Sequence, residues 1–191
     1  MKVVYVLLES QYQSTISAAA NAINSSKEGN LSVELSGYLL EGLRDDKNLE
    51  DLKRDLSEVN VFIGSLIFVQ DLAERVVEAV TPSRERLDAC IVLPFMPEVM
   101  KLNKTGSFSM SQLGKSQSSI ARFMRRKREE AGVSFEESML KLLRNLPKVL
   151  KYLPTNKAQD AHYSMLSFQY WLGESATNIE NLFADDLREV R

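Results

Sequence analysis

The chain has 191 residues, of which 44% are hydrophobic and 26% charged, and its formal net charge is −2. This is the composition of an ordinary globular protein, and the near-neutral charge excludes a general electrostatic attraction to nucleic acid or to an anionic membrane. A single cysteine excludes an intrachain disulfide, and no apolar run reaches the roughly 20 residues that a membrane-spanning helix needs.

Four apolar runs predict the strands of one sheet. The first, third and fourth are nearly continuous in Val, Ile, Leu and Phe, which is typical of strands covered on both faces in a parallel sheet. The second alternates with polar residues and indicates an edge strand with one wetter face. The runs are Val3 to Leu8, Leu31 to Leu40, Val61 to Val69 and Ala89 to Phe95.

Helical patterns lie between these runs, and strands that alternate with helices indicate right-handed βαβ units. Leucine and valine recur at helical spacing over 49–59 and 72–80, and alanine is frequent over 15–23. The predicted fold class is therefore α/β: a flavodoxin-like open parallel sheet of about four strands, in the order 2-1-3-4, flanked by helices and followed by a C-terminal helical extension.

The character of the chain changes after residue 102, so we predict three parts. Residues 1–102 form the α/β domain, 103–134 a polar and basic loop insertion, and 135–191 a helical extension that packs on the domain or on regions outside this chain. The extension carries an apolar stripe at helical spacing, with Pro147 predicted to kink it. The stripe consists of Met139, Leu142, Leu143, Leu146, Val149, Leu150 and Leu153.

The carboxyl ends of the predicted strands form the edge at which open α/β sheets bind ligands. The polar stretch after the first strand has the hydroxyl groups of a phosphate loop but no glycine, and a backbone wrapped closely around a phosphate usually needs one. The polar start of a helix is the favoured interpretation. The candidate ligand-binding residues at this strand-end edge are Glu9, Ser10, Gln11, Tyr12, Ser14, Ser65 and Phe95.

Other signals are weaker. The basic run Arg125, Arg126, Lys127 and Arg128 is either a solvated face, paired with the two glutamates that follow, or a docking contact for an acidic partner. His162 is the only histidine, so no pair of histidines can bind a metal. Gly114-Lys115-Ser116 lacks the earlier glycine of an ATP-binding loop. We therefore expect no catalytic residue, no metal ligand and no cofactor in this chain.

Long strings of the sequence resemble a known family. Among them are "VVYVLLESQYQS" (3–14), "FIGSLIFVQDLAERV" (62–76) and "LPKVLKYLP" (146–154). They are similar to the amino-terminal region of the large, porphyrin-binding H subunit of magnesium chelatase, in order and over nearly the whole chain. The resemblance fades after "QYWLG" (169–173), and the family subunit is several times longer than this chain.

The resemblance implies a function that the residues alone do not indicate. The family inserts Mg²⁺ into protoporphyrin IX in chlorophyll biosynthesis, with ATP hydrolysed on AAA+ motor subunits and a porphyrin-carrying activator protein as a further partner. We expect the chain to be a scaffold, subunit-docking or regulatory head that is inactive alone. A stand-alone tetrapyrrole- or anion-binding regulator without chelatase activity is the alternative.

The resemblance also implies a location, either the cytoplasm of a cyanobacterium or the chloroplast stroma. Met1 and Lys2 lead directly into the first apolar run, which leaves no room for a transit peptide and favours the cyanobacterial source.

Overall fold

The computed structural model describes residues 1–26, 31–65, 67, 69–93, 97–109, 155–173 and 175–186. In this part of the chain, strands and helices alternate over the first hundred residues, and two described helices follow between residues 155 and 181. In chain order the elements are β1 (Lys2–Leu7), α1 (Gln11–Ser25), β2 (Glu34–Leu39), a 3-10 turn (Leu40–Arg44), α2 (Asp46–Leu56), β3 (Val61–Ser65), α3 (Gln70–Val80), β4 (Ala89–Val92), α4 (Pro97–Met100), β5 (Lys104–Thr105), β6 (Phe108–Ser109), α5 (Thr155–Leu172), α6 (Ala176–Asn181) and a π turn (Leu182–Asp186).

The described strands form a single six-stranded sheet in the order β2-β1-β3-β4-β5-β6. The first four are parallel, with Val3 opposite Val61 and Val61 opposite Ala89. This confirms the predicted α/β class, the 2-1-3-4 order and the edge position of β2. The continuous apolar runs predicted these strands because a parallel sheet is covered by helices on both faces.

The sheet does not end at β4. Residues 104–109 fall at the start of the stretch predicted to be a loop, yet they add an antiparallel hairpin, with Cys90 opposite Lys104 and Thr105 opposite Phe108. Strands of two residues show no periodicity, so the sequence pattern could not indicate them. The glycine of the turn, Gly106, has φ of 54°, in the left-handed region that glycine adopts without strain.

Helices cover both faces of the sheet. On one face Val4, Val6 and Phe62 pack against α2 and α3 in a continuous buried cluster. On the other face Val3, Leu7 and Ile63 pack against α1, and the same cluster includes buried side chains from the C-terminal helices: Trp171, Ile179, Leu182 and Phe183. The described part of the C-terminal extension therefore completes the second helical layer of the domain.

Side-chain caps mark the start of two helices. The Asp45 carboxylate accepts from the Lys47 backbone N–H over 2.8 Å and caps α2, which buries Leu49, Leu52 and Leu56 at helical spacing. Burying one such leucine contributes about 1.5–3 kcal/mol. Ser175 caps α6 in the same way, because its hydroxyl oxygen accepts from the Asn178 N–H over 3.1 Å. No described helix is both long and apolar enough to cross a membrane.

Candidate functional site

The connection between β1 and α1 is three residues long, Leu8 to Ser10, and α1 begins at Gln11. The prediction that the polar stretch starts a helix is therefore confirmed. Ser10 occupies the N-cap position, but its side chain makes no capping hydrogen bond, and the Ser14 hydroxyl donates to the Gln11 carbonyl over 3.1 Å. Gln11 to Ser14 thus belong to the first helical turn instead of a loop.

The predicted ligand residues of this stretch differ in exposure. The side chains of Glu9, Ser10, Gln11 and Ser14 are exposed. Tyr12 is half-buried and packs against the hydrophobic cluster on the α1 face of the sheet. Glu9 lies two residues beyond Leu7, the last residue of β1. The chemistry available at this position is that of one carboxylate and several uncharged hydrogen-bonding groups in contact with solvent.

Ser65, the last residue of β3, is buried and already has a partner within the chain. The indole Nε1–H of Trp171 donates to Ser65 Oγ over 3.0 Å. Trp171 lies on α5, and its ring is part of the cluster that includes Leu7 and Ile63. The tertiary structure therefore places a tryptophan side chain at the end of β3, where the sequence predicted an accessible hydroxyl.

The remaining predicted residues lie outside the described part of the chain. Phe95 falls in the undescribed segment 94–96, and the basic run Arg125 to Arg128 falls in 110–154, which also contains the apolar stripe Met139 to Leu153. The structure thus brings Ser65 and Tyr12 into contact with one cluster and leaves the exposed loop residues beside it. Within the described residues no group of three or more histidine, cysteine or acidic side chains could hold a metal ion.

A buried asparagine orders the chain next to β4, and sequence reasoning missed it. Asn103 is only 1% exposed, and both polar atoms of its side-chain amide bind the backbone of Val92. Oδ1 accepts from Val92 N over 2.7 Å, and Nδ2 donates to Val92 O over 2.9 Å. The side chain thereby imitates a neighbouring strand at the point where β4 ends. A position directly before a two-residue strand offered no pattern that could have indicated this role.

Arg84 is the second missed residue, and it secures the same region. Only 12% of its side chain is exposed, and the guanidinium donates to Leu102 O over 2.9 Å and to Ser109 Oγ over 2.6 Å. Lys104 reinforces the hairpin because its Nζ donates to the carbonyls of Glu85 and Leu87. Arg84 also pairs with the Glu85 carboxylate at 2.5 Å. The bonds of Arg84 and Lys104 to backbone and hydroxyl oxygens fix the β5–β6 hairpin against the turn before β4.

The outer surface of α2 and α3 carries charges that neutralise one another. Lys53 Nζ lies 3.0 Å from Glu50 and 2.9 Å from Glu78, and Arg75 pairs with Asp46 across the two helices at 2.8 Å. Arg44 donates to Asp71 in the same way and lowers the pKa of that carboxyl group. Such exposed pairs contribute little to stability. Because each of these cations already has an acidic partner, its charge is less available to an acidic partner protein.

Comparison with known proteins places these features in a wider context. A family model described as a domain of unknown function, DUF3479, matches residues 2–165. The chloroplastic magnesium-chelatase subunit ChlH of Oryza sativa subsp. indica is 54% identical over 181 residues, which cover 95% of this chain and 13% of the relative. The protein of subsp. japonica matches to the same extent.

A bacterial relative is more distant. The magnesium-chelatase H subunit of Cereibacter sphaeroides is 33% identical over 127 residues, which cover 66% of this chain and 10% of the relative. These matches confirm the resemblance to the amino-terminal region of the H subunit that the quoted strings indicated. The chain spans 13% of the length of the rice proteins that it matches.

Proposed function

We propose a function for this chain on the basis of its family: the chain belongs to the DUF3479 domain family. Its role is that of the amino-terminal portion of the H subunit of a magnesium chelatase, the enzyme that inserts Mg²⁺ into protoporphyrin IX in chlorophyll biosynthesis. The observation that carries the proposal is the 54% identity to a rice magnesium-chelatase subunit over 95% of this chain. Mg²⁺ and protoporphyrin IX are substrates of the whole enzyme, and ATP is consumed on its motor subunits.

Within that enzyme, this portion acts as a scaffold and docking unit, and the 191 residues alone do not insert Mg²⁺. Two positive features support this division. The hydroxyl of Ser65 at the strand-end edge is engaged by the Trp171 indole. The polar groups of Asn103 and Arg84 bind backbone groups, a neighbouring hydroxyl and the Glu85 carboxylate, so their chemistry serves the fold.

The partners in this proposal are the rest of the H subunit, the AAA+ motor subunits and a porphyrin-carrying activator protein. The basic run Arg125 to Arg128 supplies one docking contact for an acidic surface. The pairing of charges on the α2 and α3 surface supports this choice, because Lys53 and Arg75 already have acidic partners there. The location is the chloroplast stroma or the cyanobacterial cytoplasm, and the chloroplastic name of the rice relatives supports a plastid-type enzyme.

The experiment that tests the proposal uses a full-length H subunit and a version that lacks the region matched by this chain. Both are assayed for Mg²⁺ insertion with the motor subunits, ATP and protoporphyrin IX. We expect the truncated subunit to lose most activity, this chain alone to show none, and the chain added in trans to restore activity. Turnover by the chain alone would refute the division of labour, and full activity of the truncated subunit would refute the need for this portion.

The docking contact is tested in the same assay with a matched pair of variants. Replacing Arg125 to Arg128 with glutamine should weaken restoration in trans, whereas replacing Glu129 and Glu130 with glutamine should not. Equal restoration by both variants would remove the basic run from the proposal.

The alternative, a tetrapyrrole-binding regulator, predicts a different signal. Trp171 is the only tryptophan, so its fluorescence reports on the strand-end edge. Saturable quenching by protoporphyrin IX that is lost on substitution of Tyr12 or Phe95 would favour the alternative. Quenching that is linear in porphyrin concentration would favour the scaffold role.

A further inference from the structure

The strand β2 forms one edge of the sheet, since β1 is its only neighbouring strand among the described residues. The backbone hydrogen bonds show which of its residues face outward. Glu34 N donates to Met1 O over 3.0 Å, so Glu34 and every second residue after it bond to β1. The residues between them, Leu35, Gly37 and Leu39, therefore direct their backbone N–H and C=O groups away from the sheet.

An asparagine side chain marks where this open edge begins. The Asn24 amide, on α1, accepts from Val33 N over 2.7 Å and donates to Val33 O over 2.8 Å. Val33 has the same alternation as the outward-facing residues, so these bonds support the outward direction independently. Beyond Val33, β2 keeps an unbroken register with β1 as far as Leu39. Edge strands commonly carry a proline, a lysine or a bulge that prevents further pairing, and the six described residues of β2 have none of these.

The side chains on the α1 face of this edge are apolar. Leu35 packs against the cluster that includes α1, and Leu39 points to the same face because side chains alternate along a strand. Leu39 is 38% exposed and is the one exposed large hydrophobic residue in the described part of the chain. Between them the Tyr5 ring fills the space above Gly37, where a Cβ atom would lie 2.4 Å from Tyr5 Cζ. The edge thus presents an aromatic ring between two leucines.

This edge is complementary to itself. In an antiparallel pair of two β2 strands centred on Gly37, Leu35 of one copy lies opposite Leu39 of the other, and Gly37 lies opposite Gly37. In this register each of the three outward-facing residues exchanges both backbone hydrogen bonds with the residue opposite it. Leucine meets leucine across the pair on either side of the glycines, which is a favourable cross-strand contact. The arrangement has the two-fold symmetry that most protein dimers have.

Charge does not oppose this pairing. Glu34 is the only charged residue of β2, and it lies outside the paired segment 35–39. The two copies of Glu34 lie at opposite ends of the pair because the strands are antiparallel. Glu41, which follows the segment, pairs with Arg44 of its own chain at 2.7 Å. We propose that the open edge of β2, residues 35–39, is a self-association surface whose partner is a second copy of this chain.

Sedimentation equilibrium of the 191-residue chain, at concentrations up to about 0.5 mM, measures the self-association. Leu39→Lys places a charge on the exposed end of the edge. Leu39→Pro removes one outward N–H without removing a bond to β1. The matched control is Gln169→Lys, which adds the same charge at an exposed position of α5, a helix that contacts β4, β5 and β6 at the other end of the sheet. Circular dichroism establishes that every variant is folded.

We expect a monomer–dimer equilibrium whose Kd rises roughly tenfold or more in each Leu39 variant and changes less than about twofold in Gln169→Lys. A chain that stays monomeric throughout the concentration range would overturn the proposal. A dimer that both Leu39 variants leave unchanged would overturn it as well, because the contact would then lie elsewhere.

Amide hydrogen exchange, followed by NMR, tests the register. As the protein concentration rises, exchange of the N–H groups of Leu35, Gly37 and Leu39 should slow by roughly tenfold or more. Exchange of Ser36 and Tyr38, whose N–H groups face β1, should not change. Full protection of the outward amides in the dilute monomer would contradict the proposal, because another part of the chain would then cover the edge.

Discussion

The indole Nε1–H of Trp171 and the hydroxyl of Ser65 form a buried hydrogen bond of 3.0 Å between residues that are 106 positions apart in the sequence. The bond joins the C-terminal helical layer to the carboxyl end of a central strand. It also engages the Ser65 hydroxyl at the carboxyl end of β3, the edge at which open α/β sheets bind ligands.

The first prediction concerns this bond. Ser65→Ala leaves the buried indole N–H without its acceptor and should lower the free energy of unfolding by about 1–3 kcal/mol. Urea denaturation followed by the fluorescence of Trp171, the only tryptophan, measures the loss. In a double-mutant cycle with Trp171→Phe, followed by circular dichroism, the two effects should be non-additive. Additive effects would contradict a direct interaction.

The second prediction compares two asparagines that bind the backbone in the same way. Asn24 exchanges hydrogen bonds with Val33 N and O over 2.7 and 2.8 Å, as Asn103 does with Val92, but the Asn24 side chain is exposed and its bonds are only partly buried. Asn103→Ala should cost about 2–3 kcal/mol because buried backbone groups lose their partner, whereas Asn24→Ala should cost about 1 kcal/mol because water can replace the amide. Equal losses in denaturant unfolding would contradict the effect of burial.

The third prediction concerns the contact between Gly37 of β2 and the buried ring of Tyr5. A Cβ atom at Gly37 would lie 2.4 Å from Cζ and from the hydroxyl oxygen of Tyr5, so Gly37→Ala should destabilise the fold by about 1–3 kcal/mol through overpacking. At Gly42 the nearest atom, Asn48 Nδ2, is 3.6 Å away, and Gly42→Ala is therefore the neutral control. Thermal unfolding midpoints check the pair, and a smaller loss for Gly37→Ala in a Tyr5→Leu background would identify the ring as the cause.

The fourth prediction concerns Cys90, which is fully buried in β4. Burial raises the pKa of its thiol from 9.0 to about 12. The native protein should react with a disulfide reagent at pH 8 on the order of a thousandfold more slowly than the urea-unfolded chain, because reaction requires opening of the core. Rapid native labelling would show that β4 opens locally.

The raised pKa of Cys90 also has a consequence for stability. The unfolded chain loses the thiol proton near pH 9.0 while the folded chain retains it to about pH 12. The contribution of the neutral thiol to the free energy of unfolding is therefore complete below pH 9.0. It declines as the pH rises toward 12, because only the unfolded chain then releases the proton. Between pH 9 and 11 stability should fall more steeply for the natural chain than for Cys90→Val, whose side chain cannot ionise. Parallel pH profiles would contradict the assignment.

Much of the α/β core could be predicted from local patterns. Continuous apolar runs identified β1, β3 and β4 because parallel strands are covered on both faces, and the alternation of β2 identified the edge. The spacing of Leu49, Leu52 and Leu56 indicated the buried side of α2. The β5–β6 hairpin could not be predicted, since Lys104–Thr105 and Phe108–Ser109 are too short to show a period and are held by distant groups such as Arg84.

Part of the candidate site could also be predicted from the local sequence. The polar stretch after β1 has no glycine, and the prediction that it opens a helix followed from that composition. The burial and hydrogen bonding of Ser65 were not predictable in this way, because they depend on a helix more than a hundred residues further along the chain. Ligand binding at Glu9 to Ser14 stays a prediction.

The sequence by itself determined the class of the fold, the order of its parallel strands and the family resemblance, because these depend on hydrophobic periodicity and on long matching strings. The tertiary structure alone decided that Trp171 of α5 donates to Ser65 at the end of β3 and that Asn103 extends the hydrogen bonding of β4. Each of these depends on which distant side chain fills a given space, and a single chain carries no local signal for that.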